Sequence, residues 1–213
     1  MGITTALDIE ETKLSLYKSL LPEQLELPLK PQMMFYIYYF RKIFPWPLKG
    51  YLEAAVCLRA QHPKTQEGWY ILTMPVSSRM AYWTGKWVGY PKYIPDSLTL
   101  ESSDDEWVGK IVREEKSPFI LKFSPADVDV WWKDVYRRDS AFFLVGKNTR
   151  INQMQPVIHK EKSYEIKTGN VTLTLDSDEE WVNLVQGSNQ TRLGIFHTFI
   201  GKVFLTRKDQ KPL

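Results

Sequence analysis

Three stretches decide how this chain folds: Met33–Phe40, MMFYIYYF; Tyr51–Ala60, YLEAAVCLRA; and Gly68–Val76, GWYILTMPV. Each is a short run of aromatic and aliphatic residues bounded by proline, glycine or charge, which is the pattern of strands. The same punctuation recurs downstream in WVGKIVRE, SPFILKFS, AFFLVG, NVTLTLD, EEWVNLVQ and LGIFHTFIGKVFLT. So many short strands predict a mainly β chain, an antiparallel sandwich or a closed or partly closed barrel. Two segments depart from the pattern. Residues 8–21, DIEETKLSLYKSLL, place Leu14, Leu16, Tyr17, Leu20 and Leu21 on one side with acids early and lysines late, which predicts an N-terminal amphipathic helix stopped by Pro22. Pro125–Asp139 carries Val128, Trp131, Trp132, Val135 and Tyr136 at three- and four-residue spacing, which predicts one further short helix. No linker, repeat or low-complexity tract divides the chain, so residues 1–213 read as a single domain.

Composition narrows the class. With 213 residues, 43% hydrophobic content and a net charge of +3, the chain can build a full core and is not a disordered polymer. Trp, Tyr and Phe make up 14% of it, more than a helical bundle needs and in keeping with strands or a lined cavity. Cys57 has no second cysteine to pair with, and His62, His159 and His197 are scattered, so the expectation is no disulfide, no metal and no cofactor. The longest apolar run, Met33–Phe40, ends at Arg41-Lys42 and is too short to span a bilayer. The N-terminus lacks a secretory profile, and the basic residues are dispersed. A cytoplasmic protein with no membrane or nucleic-acid partner is therefore expected.

Chemistry concentrates at Tyr82–Tyr93, YWTGKWVGYPKY, where Lys92 follows a proline between Tyr90 and Tyr93. A lysine is nucleophilic only when neutral, a state favoured by desolvation or a neighbouring cation. On the residues alone, Lys92 reads first as a lysine whose stem lies on aromatic rings while its head reaches water. Glu53 stands inside a stretch that otherwise reads as buried strand; there it is either a paired carboxylate fit for proton transfer or a residue that alternation points outward.

Four motifs in order support a resemblance. YKSLLPEQLEL carries a helix into a Leu-Pro-Glu-x-Leu turn, GYLEAAV is a strand with a glutamate, GWYILTMPV is a Gly-x-Tyr strand, and Gly85–Lys92 forms a Gly-x-x-x-x-Tyr-Pro-Lys loop. Over residues 13 to 100 the chain resembles the acetoacetate decarboxylase superfamily. The resemblance implies that Lys92 forms an imine with a carbonyl substrate, that Glu53 assists proton transfer, and that Met74 lines the pocket. It also implies a homo-oligomer. The chain departs from the family pattern at several points. Tyr93 stands where the family has a second lysine, Trp87 and Tyr36 where it has glutamates, and the family's N-terminal arginine-bearing segment has no counterpart before the helix.

These substitutions lead to an expected lyase acting on a keto acid or related carbonyl compound larger and more apolar than acetoacetate, in secondary metabolism, by decarboxylation, aldol-type or dehydration chemistry. Tyr36, Tyr90 and Tyr93 are expected to donate hydrogen bonds to substrate, and Trp83, Trp87 and Met74 to shape the wall. Arg41, Lys42, Lys49 and Arg79 are candidates for an anion clamp. Two other readings stand beside this one. The first is an imine-independent cyclase or isomerase of a natural-product pathway, positioning its substrate with Glu53 and the tyrosines. The second is a non-catalytic barrel for hydrophobic ligands, suggested by Gly85-Lys86-Trp87, which matches the Gly-x-Trp signature of lipocalin-like barrels.

Overall fold

The computed structural model of the chain describes residues 1–43, 48–63, 67–129, 141–145, 151–158, 164–185, 191–199 and 203–208. Among them run thirteen strands: β1 (Gly2–Asp8), β2 (Gln32–Ile43), β3 (Leu48–Gln61), β4 (Glu67–Pro75), β5 (Lys92–Tyr93), β6 (Ser97–Ser103), β7 (Glu106–Val112), β8 (Ile120–Pro125), β9 (Ala141–Val145), β10 (Ile151–Ile158), β11 (Tyr164–Thr174), β12 (Thr191–Phe199) and β13 (Val203–Lys208). The described residues also hold two α-helices, α1 (Leu14–Leu20) and α2 (Arg79–Val88). The strands follow one hydrogen-bonded path, β13-β10-β9-β4-β3-β2-β1-β12-β11-β8-β7-β6, with β5 attached to β4 off the path. Pairing is antiparallel except where β4 meets β5 and β9.

Curling of that path makes the core. β6 comes to lie against β2 and β3 without joining their ladder, so the barrel is partly closed. The approach is close: a Cβ on Gly109 of β7 would fall 2.6 Å from Ile37 Cδ1 of β2, so any larger residue there would have to displace Ile37. Period-two alternation then divides the long strands between two apolar layers. Met33, Phe35 and Ile37 of β2 and Ala54, Val56, Leu58 and Ala60 of β3 enter the large core with Ile111, Leu121, Phe123 and Val171 from the facing strands. Met34, Tyr36, Ala55 and Cys57 take the opposite face, with Met74 of β4 and Ala81 of α2. Because the two registers are fixed by buried side chains on both faces, a one-residue slip in β2 or β3 would exchange the core layer with the other and is strongly disfavoured.

The sequence-based expectations need four local adjustments. The N-terminal helix is shorter than expected: Asp8 still belongs to β1, Glu11–Lys13 form a 3₁₀ turn, and only Leu14–Leu20 are α-helical, ending before Pro22. Tyr17 anchors α1 by donating from its buried hydroxyl to the carbonyls of Gln32, at 2.8 Å, and Arg59, at 2.6 Å. Residues 2–7, assigned no element from sequence, form with Asp8 a central strand between β2 and β12. Within EEWVNLVQ, read as a strand, Glu180–Leu184 instead make a 3₁₀ turn, which drives Trp181, Val182 and Leu184 together into the core as strand alternation would not. Of the helix expected over 125–139, Pro125 ends β8, residues 126–129 are not helical, and Trp131, Trp132, Val135 and Tyr136 lie outside the described residues. The second helix that the structure shows is α2, inside the aromatic segment before Lys92.

Candidate active site

Helix α2 begins at Ser78, whose hydroxyl accepts the Ala81 N–H at 3.3 Å, and ends at Gly89, whose φ of 100° is the left-handed conformation that stops a helix. Tyr90 N–H closes the end on the Gly85 carbonyl, and Pro91 leads the chain into β5. There the Met74 N–H donates to the Pro91 carbonyl at 3.1 Å, and the Val76 N–H to that of Tyr93 at 3.0 Å. This parallel pairing sets Lys92 beside Met74, while an antiparallel bridge sets Glu53 beside Val76. Two residues far apart in sequence thus meet across β4.

The meeting is an ion pair. Lys92 Nζ lies 2.8 Å from Glu53 Oε2, and the two residues are 7% and 8% exposed. A pair so withdrawn from water is held only if its remaining hydrogen-bonding capacity is met. Tyr51 donates its hydroxyl to Glu53 Oε2 at 3.2 Å, and Tyr36 donates to Oε1 at 3.4 Å. Lys92 Nζ also stands 5.1 Å from the Tyr90 ring centre and 5.9 Å from that of Tyr51, within cation–π range of both. Burial first, and the Glu53 charge second, push the phenols of Tyr36, Tyr51 and Tyr90 far above their ordinary value near 10. They are therefore neutral hydrogen-bond donors throughout the physiological range. The same two causes, in the same order, raise the thiol of Cys57, which remains protonated on this face.

Gly85 completes the geometry. A Cβ at this position would meet Lys92 Cδ at 2.3 Å and Cε at 2.6 Å, so the lysine stem runs directly beneath α2 through the space that glycine leaves.

The structure therefore brings Lys92, Glu53, Tyr36, Met74 and Tyr90 together on one face and separates others that were grouped with them from sequence. Tyr93, next to Lys92 on β5, turns to the opposite side, where Arg113 stands 4.9 Å from its ring; its phenol is pushed up to about 12, mainly by burial. Trp83 and Trp87 are 68% and 79% exposed on the outer side of α2, because helical spacing turns Ala81 and Gly85 inward instead. They point away from Lys92 and Glu53. Arg41 is exposed and has the parity of Ile37, so it lies on the other face of β2 from Tyr36. Arg79 is exposed at the start of α2, and the side chains of Lys42 and Lys49 lie outside those described. Gly85-Lys86-Trp87 is helical, so the lipocalin-like signature, which belongs to a first strand, has no counterpart here.

Tyr51 was not identified from sequence. Its signal was present, since a residue two positions before Glu53 on a strand shares its face. Among the described residues no group of three or more His, Cys, Asp or Glu side chains could hold a metal ion, and no helix is long and apolar enough to cross a membrane.

Comparison with known proteins gives the following. A family model described as acetoacetate decarboxylase matches residues 11–184. No curated protein matches the chain. Among solved structures, the chain is similar to acetoacetate decarboxylase from Legionella pneumophila subsp. pneumophila str. Philadelphia 1, with a TM-score of 0.67 and 16% identity over 97% of this chain and 84% of that one. It is also similar to an acetoacetate decarboxylase-like enzyme from Sphingomonas wittichii RW1, with a TM-score of 0.66 and 16% identity over 97% of this chain and 90% of the other. The enduracididine biosynthesis enzyme MppR, complexed with pyruvate, superposes with a TM-score of 0.68 and 12% identity, covering 97% of this chain and 87% of that one.

Proposed function

The chain belongs to the acetoacetate decarboxylase family and is a lyase-type enzyme, and on that premise we propose that it acts on a keto acid or related carbonyl compound through a Schiff base on Lys92. The observation that carries this reading is the buried pair itself, with Lys92 Nζ at 2.8 Å from Glu53 Oε2. A carboxylate at hydrogen-bond distance can accept the ammonium proton and free the amine as a nucleophile. The amine adds to the carbonyl carbon, and Glu53 returns the proton to the carbinolamine oxygen as water leaves. The resulting iminium accepts the electron pair of the bond broken next to it, whether that bond joins the α-carbon to a departing carboxylate, as carbon dioxide, or to an aldol carbon. The enamine is then protonated at carbon, and water releases the product.

The surroundings support a substrate larger and more apolar than acetoacetate. Met34, Tyr36, Tyr51, Cys57, Met74 and Tyr90 line or border the face that carries the pair, and Lys92 is the sole cation that the described contacts place against Glu53. Tyr36 and Tyr90 are suited to hydrogen-bond substrate oxygens without charge. Three further assignments accompany this reading as proposals: a cytoplasmic location, a homo-oligomeric state and a role in secondary metabolism. The first is in keeping with a lone buried thiol at Cys57. The second is in keeping with the apolar outer face of α2 at Met80, Trp83 and Trp87.

Incubation with pyruvate, a neutral methyl ketone and an apolar β-keto acid, each followed by borohydride reduction and peptide mass mapping, tests the proposal. An adduct on Lys92 is expected with at least one compound and is lost in Lys92→Ala. An adduct that persists in Lys92→Ala overturns the lysine assignment. Failure to trap any carbonyl compound instead selects the imine-independent isomerase or cyclase, which the three neutral phenols around Glu53 would also suit.

A further inference from the structure

Glu53 has more donors than an ion pair needs, and they are unequally placed. Oε2 accepts from both Lys92 Nζ, at 2.8 Å, and Tyr51 Oη, at 3.2 Å, whereas Oε1 accepts from Tyr36 at 3.4 Å. Tyr51 is buried, and its ring is stacked on that of Phe40, its register partner on β2, at 5.4 Å and 25°. The hydroxyl is thereby aimed at Oε2 by a ring that cannot turn away without losing its stacking partner. Tyr51 also shares the face of Glu53 through the period-two alternation of β3.

Imine formation changes the balance at Oε2. The ammonium of Lys92 has three N–H bonds, and an iminium nitrogen retains one. The attraction that held Oε2 in the resting enzyme is weakened when the carboxylate must act on the substrate. We propose that Tyr51 is a positioning residue that holds Oε2 of Glu53 in place as the acceptor of the substrate α-proton once the imine has formed. The proposal rests on the Schiff-base reading above. In the step concerned, the substrate C–H bond breaks, its proton forms an O–H bond on Oε2, the C–H electron pair becomes the enamine C=C bond, and the C=N π pair moves onto nitrogen.

The test uses 4-phenyl-2-butanone as the probe and reads two rates in the whole enzyme: formation of the borohydride-reduced adduct on Lys92, and exchange of the probe's α-protons with deuterium from solvent. In Tyr51→Phe, exchange should fall at least about tenfold more than adduct formation does, the usual order for a hydrogen bond to a charged group. Phe40→Leu, which removes the stacking partner but keeps the hydroxyl, should shift exchange in the same direction. Unchanged exchange in Tyr51→Phe, or a parallel fall in both rates, overturns the positioning role while leaving the imine intact. A wild-type enzyme that gives neither adduct nor exchange overturns the Schiff-base reading and this proposal with it.

Discussion

Replacing Gly85 by alanine separates the stability of the fold from the geometry of the site. The added Cβ would lie 2.3 Å from Lys92 Cδ, whereas ordinary contact begins near 3.4 Å, so the lysine stem must retreat by about 1 Å. The nearest colliding atoms belong to the middle of a side chain, so it is the Lys92 side chain that gives way. In the helix itself alanine is favoured over glycine by about 1 kcal/mol, and forcing an extra methyl into a filled space costs about 1–3 kcal/mol. These terms largely offset, and Gly85→Ala should fold with a net loss below about 2 kcal/mol. The site has no such compensation. A 1 Å misplacement of a reacting group costs on the order of 100-fold in rate, so the rate of borohydride-trappable adduct formation on Lys92 should fall by about that factor. The assay pairs a thermal melt with timed trapping by a methyl ketone. A folded Gly85→Ala protein that forms the Lys92 adduct at the wild-type rate would refute the claim that Gly85 makes room for the lysine.

Three other predictions follow from the same contacts. Glu53→Ala leaves the buried ammonium of Lys92 without its counter-charge and should destabilise the fold by about 3–5 kcal/mol, whereas the double variant Glu53→Ala with Lys92→Met should recover much of that loss; chemical denaturation of the three proteins checks both. Trp83→Ala and Trp87→Ala remove exposed side chains from the outer side of α2, so each should change stability by less than about 0.5 kcal/mol and leave adduct formation on Lys92 unaltered, as peptide mapping of the trapped proteins would show. Alkali should unfold the protein: burial raises the phenols of Tyr36, Tyr51 and Tyr90 far above 10 and that of Tyr93 to about 12. The folded state then keeps protons that the unfolded chain releases near pH 10, so this contribution is complete below pH 10 and is lost as pH rises toward 12 and beyond. Phenolate absorbance should emerge together with loss of the native circular dichroism signal, and titration of these tyrosines near pH 10 in an intact fold would contradict the assignment.

Much of the fold was legible because period-two alternation and turn punctuation are written locally. MMFYIYYF and YLEAAVCLRA became β2 and β3, and the alternation that makes them strands also divides Phe35 from Tyr36 and Leu52 from Glu53. The element unassigned from sequence, α2, reads there only as aromatic residues leading into a Tyr-Pro-Lys loop, yet Ser78 and Gly89 are helix caps and Ala81 and Gly85 lie one turn apart. The helix they define puts Trp83 and Trp87 on its exposed side. In the site, the Lys92–Glu53 pairing was reachable only through the resemblance, since the two lie on strands separated by β4 and no local pattern joins them. Tyr93 failed for a local reason: grouping it with Lys92 ignored the alternation that sends adjacent strand residues to opposite faces.

The proposed chemistry depends on Lys92 being the group on which substrate is covalently held, with Glu53 beside it. A crystal structure of the enzyme reduced with borohydride in the presence of 4-phenyl-2-butanone tests it most directly. The reduced enzyme should show a secondary amine continuous with Lys92 Nζ and still within hydrogen-bond reach of a Glu53 carboxylate that remains bonded to Tyr51. An unmodified Lys92 that keeps its ion pair with Glu53, under conditions where the ketone is bound or another lysine is reduced, would contradict it.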